Sequence, residues 1–390
     1  MLAALGAALK MDGRILTQPL PGTETDSYVM LSSSSDRGLL VSGDSRRAAA
    51  AGAFKFSNSR SLARKARNVA AWIVLRANLV SAMPRFNRRV HIVRDDEPSL
   101  FDHLREVAGD PNMRFAISIG PPRPNQKPVI QLISDTGRTR GFAKIGWNEL
   151  TSRLVDHEAR YLKTMGREMH LFAAPEVVHD GTWNGLRISI STGPASKVRW
   201  MARSRIPSGP VIQEIACAQG RASRMEYGGS PSYERLVERA GQLASPQRLI
   251  ASQAIERVLE QFAGVTANFG DWHGDFTPWN LVRRSPVGYF VWDWERAGGP
   301  QVVGMDLFYY HFEEAHFGGH SAEDSIRHAA HSSRSAIELC QGDGFPIGLI
   351  AEICMLELFL RYWEPDTPYE YPLEQTIGKL LIEPVDLEIS

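Results

Sequence analysis

The run His273-Gly274-Asp275-Phe276-Thr277-Pro278-Trp279-Asn280, followed by Val291-Trp292-Asp293-Trp294-Glu295, sets a carboxylate, an amide and a second carboxylate at spacings suited to chemistry on a phosphate chain. Transfer of a phosphoryl group from ATP demands little covalent work from a protein. It needs an acceptor oxygen held in line with the γ-phosphorus and positive charge to offset a crowded polyphosphate. Asp275 is the side chain placed to receive a hydroxyl proton and orient the nucleophile. Asn280 and Asp293 offer hard oxygen ligands of the kind magnesium takes while it keeps several waters and bridges phosphate oxygens. His273 completes the catalytic set Asp275, Asn280 and His273, and reads as a support for the loop backbone.

These side chains need elements to aim them. Tyr289 to Trp292 reads as a strand that delivers Asp293 at its end, and Leu281 to Val282 is expected to pair with it across a turn at residues 284–288. The two metal ligands would then converge from a loop and an adjacent hairpin, within a catalytic loop spanning 270–296. His-Gly-Asp alone arises often by chance. Its combination with Pro278, Asn280 and a strand-borne Asp293 thirteen residues on is specific.

Composition frames the rest. With 390 residues, 43% of them apolar, the chain buries a large core and has the length for two or three structural units. Cys217, Cys340 and Cys354 show no CxxC pairing, so a reducing, cytoplasmic setting is expected. The start, Met1 to Gly6, is apolar but short and has no basic stretch before it, which argues against a signal peptide. The apolar run Val69–Leu75 is too short to span a bilayer and is closed by Arg76, so a soluble protein with no membrane span is expected.

The net charge of zero conceals an asymmetry. Arg46 to Arg89 holds eleven Lys or Arg and no Asp or Glu, whereas Asp306 to Ser390 holds sixteen Asp or Glu against four Lys or Arg. Residues 1 to about 45 read as irregular, with Ser32–Ser35, Pro19, Pro21 and Gly22 as breakers. A basic helix is predicted over about 61–82, stopped by Pro84. Phe115–Ile119, Val129–Ile133 and Gly141–Ile145 read as strands of a small antiparallel sheet, followed by a helix from about Asn148 to Met165 and a strand at Leu186–Ser191. Beyond Gly193 helices dominate: Tyr233–Leu243, Gln247–Phe262, Met305–Phe317, Ala322–Leu339 and Ile347–Trp363. The expected division is an N-terminal extension over 1–89, a sheet-bearing unit over 90–192 and a helical unit over 193–390.

The residues HGDFTPWN, VWDWE and the downstream Gly304-Met305-Asp306-Leu307 resemble the aminoglycoside phosphotransferase and choline kinase superfamily, over about residues 110–365 and most strongly over 270–310. The resemblance implies an α+β, bilobal, protein-kinase-like fold, with a small antiparallel-sheet N-lobe, a larger helical C-lobe and here an N-terminal extension. It implies Asp275 as catalytic base, Asn280 and Asp293 as magnesium ligands, and Asp306 as a structural carboxylate bracing the loop. A favourable charge at a helix N-terminus is the plainer reading of Asp306, and it is compatible with that role.

On this resemblance the upstream half should supply a lysine for the α- and β-phosphates and a helix carboxylate to hold it. Lys144, amid the strand residues Gly141 to Ile145, fits, because a lysine there is costly unless paired. Glu158, fourteen residues on, is the expected partner, with Glu149 and Lys163 as competitors. The loop 120–128 departs from the family pattern, since one glycine and four prolines cannot form a flexible nest of backbone N–H groups. Arg123 or Lys127 is expected to supply side-chain positive charge instead, with ATP as the donor and GTP as its alternative.

The expected activity is transfer of phosphate to a hydroxyl of a small molecule, with a sugar, amino sugar or aminocyclitol first by family analogy. The rival readings are a nucleotide-binding regulatory module without turnover and, third, a protein kinase. The third ranks lower because no Ala-Pro-Glu follows Asp293. Glu313, Glu314, Glu364, Asp366, Glu370 and Glu374 read as a solvated acidic surface before they read as an acceptor cleft. The basic segment 46–89 reads as a helical extension packed on the core, with contact to a membrane surface second; no nucleic-acid motif accompanies it. His311, His316, His320, His328 and His331 read as packing or surface histidines, because the first three share no helix face and no cysteine accompanies them. Trp272, Trp279, Trp292 and Trp294 read as packing.

Overall fold

The computed structural model describes residues 5–6, 9, 15–18, 21–22, 25–34, 37–53, 62–77, 79, 89–93, 98–120, 123–166, 169–194, 209–283, 288–363 and 373–387. Glu364, Asp366, Glu370, the 284–287 part of the expected hairpin turn and much of the basic 46–89 segment lie outside them. The chain forms two compact units, one of Met1–Lys163 with Pro175–Ser196, the other of Thr164–Ala174 with Lys197–Ser390. Its architecture is the mixed α+β expected. Among the described residues no helix is long and apolar enough to cross a membrane.

The first unit is built on a nine-stranded antiparallel sheet. Its strands are β1 (Ile15–Leu16), β2 (Thr25–Ser34), β3 (Arg37–Ser42), β4 (Arg89–Val93), β5 (Arg114–Ile119), β6 (Pro128–Ile133) and β7 (Thr139–Gly146). After β8 (Phe172–Ala173), which belongs to the second unit, come β9 (Val177–Trp183) and β10 (Leu186–Ser191). Their order across the sheet is β1-β4-β2-β3-β5-β6-β7-β10-β9.

Side chains alternate between the two faces of a strand, so this sheet feeds two cores. Tyr28, Met30, Leu40, Phe115 and Ile117 pack with Leu100, Phe101 and Leu104 of helix α3 (Leu100–Ala108). The intervening Val29, Val41 and Ala116 pack with Ala48, Ala49, Ala50 and Ala53 of helix α1 (Arg46–Ala53) and with Leu75 of α2 (Leu62–Arg76). Burying a ring such as Phe101 or Phe115 is worth about 1.5–3 kcal/mol, and the two rings touch at 5.0 Å between centroids. Gly52 permits the close approach of α1, since a Cβ there would lie 2.6 Å from Ala116 Cβ. Helix α3 is closed at its start by a reciprocal cap in which Ser99 and Asp102 bond each other's backbone N–H.

The stretch read as irregular thus contains three strands, and the boundary expected near 90 falls inside the sheet. The short apolar runs at Tyr28–Leu31 and Leu39–Val41 pair with each other as a hairpin, Val29 opposite Val41, and are extended into the sheet by distant partners, with Thr25 opposite Val93 and Gly38 opposite Ile119. Local breakers cannot report such pairing. On α2, Trp72 and Ile73 are exposed.

The first unit also holds α4 (Glu149–Thr164), and the second is mainly helical: α5 (Gly209–Ala216), α6 (Pro231–Gly241), α7 (Gln247–Phe262), α8 (Met305–Phe317), α9 (Ala322–Gln341), α10 (Ile347–Tyr362) and α11 (Glu374–Ile382). Two three-stranded sheets accompany these helices, β11 (Ser223–Glu226) with β12 (Thr266–Trp272) and β15 (Gly298–Val302), and β13 (Leu281–Arg283) with β14 (Tyr289–Val291) and β8. Helix α10 is predominantly apolar and buried nearly throughout. Its one buried acid, Glu357, is satisfied by Gln301 Nε2 at 2.5 Å and by Arg239. Cys340 and Cys354 are buried and Cys217 is exposed, all three as free thiols.

Candidate active site

The loop after β12 is folded by its own polar groups. Asp306, in the first turn of α8, accepts the backbone N–H of His273 at 2.7 Å and of Gly274 at 3.1 Å. His273 is fully buried, and both of its ring nitrogens are engaged: Nε2 lies 3.0 Å from the Trp292 carbonyl, and Nδ1 accepts the Asp275 N–H at 3.1 Å. A neutral imidazole donating from Nε2 meets both demands, so His273 fastens the loop to the strand that carries Asp293. Its ring also packs on Trp294 at 4.5 Å. Gly274 has φ +77°, and a Cβ there would fall 2.3 Å from the Arg296 carbonyl oxygen, so only glycine passes through this point.

Asn280 and Asp275 meet directly. Asn280 Nδ2 donates to the Asp275 carbonyl at 3.0 Å and to Asp275 Oδ2 at 2.8 Å. Asp275 Oδ1 has the Tyr309 hydroxyl at 3.5 Å. Strands β13 and β14 pair with Leu281 opposite Val291, and the Trp292 N–H donates to the Asn280 carbonyl at 2.9 Å. The ladder therefore runs on to Asn280 and sets it beside the residue preceding Asp293. Asp293 has φ +73°, a left-handed conformation uncommon outside glycine, which turns the chain sharply as it leaves the strand.

The electrostatics follow from this crowding. Burial pushes the Asp275 carboxyl up to about 6; Arg361 opposes the rise, while the charges of Asp293 and Glu295 add to it. Asp306 is pushed up to about 7 by burial, against the pull of its two N–H donors. Arg361 donates to the Gly274 carbonyl at 2.6 Å and lies over the Tyr309 ring at 5.8 Å. Arg361, Tyr309 and Glu295 had not been singled out from sequence. The signal available for Arg361 was a cation in the last turn of a predominantly apolar helix, α10.

The first unit holds the expected ion pair. Lys144 on β7 alternates with the fully buried Ala143 and Ile145, and sits opposite Val129 of β6 and Ser189 of β10. Its Nζ reaches Glu158 Oε2 at 2.6 Å and Oε1 at 2.8 Å. Helix α4 buries Thr151, Leu154, Val155, Glu158 and Ala159, so Glu158 belongs to the inward stripe. Its start is capped by Asn148, whose Oδ1 accepts the Thr151 N–H at 2.8 Å. The competitors are placed elsewhere: Lys163 pairs with Asp180 at 2.6 Å, and Glu149 lies 3.9 Å from Arg153 at an exposed site. Arg123 is exposed and Lys127 half-buried, two residues before the register partner of Lys144. Their loop is tied by Gln126, whose side chain donates to the Gly120 carbonyl at 2.7 Å and whose own carbonyl accepts the Trp147 indole N–H at 2.8 Å.

A cation fits the second-unit site by its donors. The amide nitrogen of the buried Asn280 is spent on Asp275, which leaves Oδ1 as an acceptor, and the Asn280 backbone pairs with Trp292, the residue before Asp293. An amide oxygen and a carboxylate are the hard donors that magnesium prefers.

No protein-family model matches the chain, and no curated protein matches it. Solved structures similar to it in overall architecture include three small-molecule kinases. One is a thermostable mutant of aminoglycoside phosphotransferase APH(4)-Ia in ternary complex with ADP and hygromycin B, at 13% identity and TM-score 0.47, covering 73% of this chain and 98% of that one. Another is the ethanolamine kinase of Plasmodium vivax, at 10% identity and TM-score 0.42, covering 85% and 95%. A third is the streptomycin–ATP–APH(2")-IIa ternary complex, at 10% identity and TM-score 0.40, covering 75% and 98%.

Proposed function

We propose that this chain is a phosphotransferase that moves the γ-phosphoryl group of a nucleoside triphosphate, ATP before GTP, onto a hydroxyl of a small molecule. The observation that carries it is the pairing of Asp275 with Asn280 on a loop clamped by Asp306, beside a strand that leads to Asp293. Such a loop offers a rigid base and an oriented metal ligand from one short segment.

In this reading Asp275 Oδ1 accepts the acceptor's hydroxyl proton. The acceptor oxygen then bonds to the γ-phosphorus as the bond from phosphorus to the bridging oxygen breaks and the diphosphate leaves. A base raised to about 6 is largely ionised at neutral pH yet basic enough to take a proton. Asn280 Nδ2 holds the other carboxylate oxygen, which fixes the direction of the base. Asn280 Oδ1 and Asp293 would hold magnesium, which would supply positive charge to offset that of the phosphates. In the first unit, Lys144 is the phosphate contact and Glu158 fixes its ammonium. Arg123 and Lys127 are assigned as further positive charge toward the nucleotide. Acceptors of the sugar, amino-sugar and aminocyclitol class are the first to test.

The test is ATP consumption and phosphorylated-product formation in a metabolite pool read by mass spectrometry, with wild type beside Asp275→Asn. Wild type should yield a new phosphate ester that the variant fails to make, while the variant still binds Mg-nucleotide. Nucleotide binding with no turnover by wild type against any acceptor class would overturn the enzyme in favour of a regulatory nucleotide-binding module.

A further inference from the structure

Away from the loop just described, helices α8 and α9 carry a second constellation. Ligand atoms of His311 and Glu314 on α8 and of His328 on α9 all lie within 4.8 Å of one another. His311 and Glu314 are one turn apart on α8, with Nδ1 to Oε2 at 3.4 Å. The His311 and His328 rings face each other edge-on at 6.0 Å between centroids. His311 is buried, Glu314 half-buried and His328 exposed, so one side of the cluster is walled by protein and the other opens to water.

We propose that His311, Glu314 and His328 form a site for a divalent transition-metal cation of the Zn2+ class. Two imidazoles and a carboxylate are a borderline-soft set, which selects zinc, cobalt or nickel over magnesium, whose preference is for oxygen alone. Three protein ligands with water in the fourth position is a recurrent tetrahedral arrangement. At metal–ligand bonds of ~2.0–2.1 Å, tetrahedral donors stand roughly 3.3 Å apart. The cluster, with its ligand atoms up to 4.8 Å apart, therefore has to contract around the cation. His320 stacks on the outer side of the His328 ring at 6.4 Å, which restricts that ring's orientation. A cation here would clamp the α8–α9 hairpin through ligands from both helices.

The proposal is independent of the phosphotransferase reading: none of the three residues is assigned a part in it, and the test reads metal rather than turnover. The purified chain is stripped with chelator and titrated with Co2+, whose four-coordinate complexes absorb strongly in the visible, and then with Zn2+ in competition. One equivalent of Co2+ should develop the tetrahedral spectrum, Zn2+ should bleach it, and excess Mg2+ should leave it unchanged. His328→Ala, on an exposed position that folding tolerates, should weaken affinity at least tenfold, and Glu314→Gln should do likewise. His331→Ala, on the same helix outside the cluster, should bind as wild type does. Absence of the tetrahedral spectrum in wild type, unchanged affinity in His328→Ala, or equal loss in His331→Ala would each overturn the site.

Discussion

Replacing Asp306 by alanine removes the carboxylate that accepts the backbone N–H groups of His273 and Gly274, and both donors are buried. Hydrogen bonds to a charged acceptor are worth about 1.5–3 kcal/mol each, and the two orphaned donors lie where water does not reach them. Relief from burying the carboxylate, which is raised to about 7, returns part of this. The net loss should be about 2–4 kcal/mol, concentrated on the loop. Amide hydrogen exchange reads that loss locally, because opening free energies differ between segments of one structure. A cost of that size corresponds to roughly 30- to 1,000-fold faster exchange in a peptide covering 273–275. Turnover should fall by about a hundredfold, since Asp275 is positioned by the same clamp. Asp306→Asn should recover only part of either effect, because its amide –NH2 would face one of the two N–H donors. Wild-type exchange over 273–275 together with wild-type turnover in Asp306→Ala would refute the bracing role.

For pH, Asp275 must be ionised to accept a proton, and burial raises it to about 6. The logarithm of kcat/KM should therefore rise with unit slope below that pH and level off above it, and a profile flat from 5 to 8 would exclude Asp275 as the base. The same shift has a stability sign. The folded state holds this proton more tightly than the unfolded chain, so the contribution is present below about 4 and is lost as pH rises through 6; Asp275→Asn should remove that stretch of the stability curve. Lys144→Met leaves the buried Glu158 without its cation and should cost about 3 kcal/mol, lowering the melting temperature. Adding Glu158→Leu to it should recover part of the loss, whereas additive single effects would show that the pair is not coupled. Gly274→Ala forces a Cβ to 2.3 Å from the Arg296 carbonyl at positive φ, so the loop must move. Full activity in that variant would show that the loop geometry does not govern turnover.

What could be read from the chain was local. Asp275, Asn280 and Asp293 lie within nineteen positions of one another, and a strand reading over Tyr289–Trp292 was enough to foresee the β13–β14 pairing that sets Asn280 beside Asp293's neighbour. Lys144 and Glu158 were legible through the resemblance, which implies a strand lysine held by a helix carboxylate, and through the cost of a lysine among apolar strand residues unless it is paired. What could not be read depends on partners distant in sequence. The segment around β2 and β3 looked irregular because serines and breakers interrupt its short apolar runs; the two strands pair with each other as a hairpin, and their outer partners stand at 89–93 and 114–119.

The same division holds for function. Local spacing determined the loop that carries Asp275 and Asn280, because a turn and a hairpin are short enough for residue order to dictate geometry. The resemblance already implied Asp306 as the brace of that loop, and the tertiary structure adds the two N–H groups it holds. Only the tertiary structure decided that Arg361 caps the loop from 87 positions away and that His328 meets His311 and Glu314 across a helix pair. Packing of buried helix faces sets those meetings, and a linear pattern states that a face is buried without stating what it is buried against.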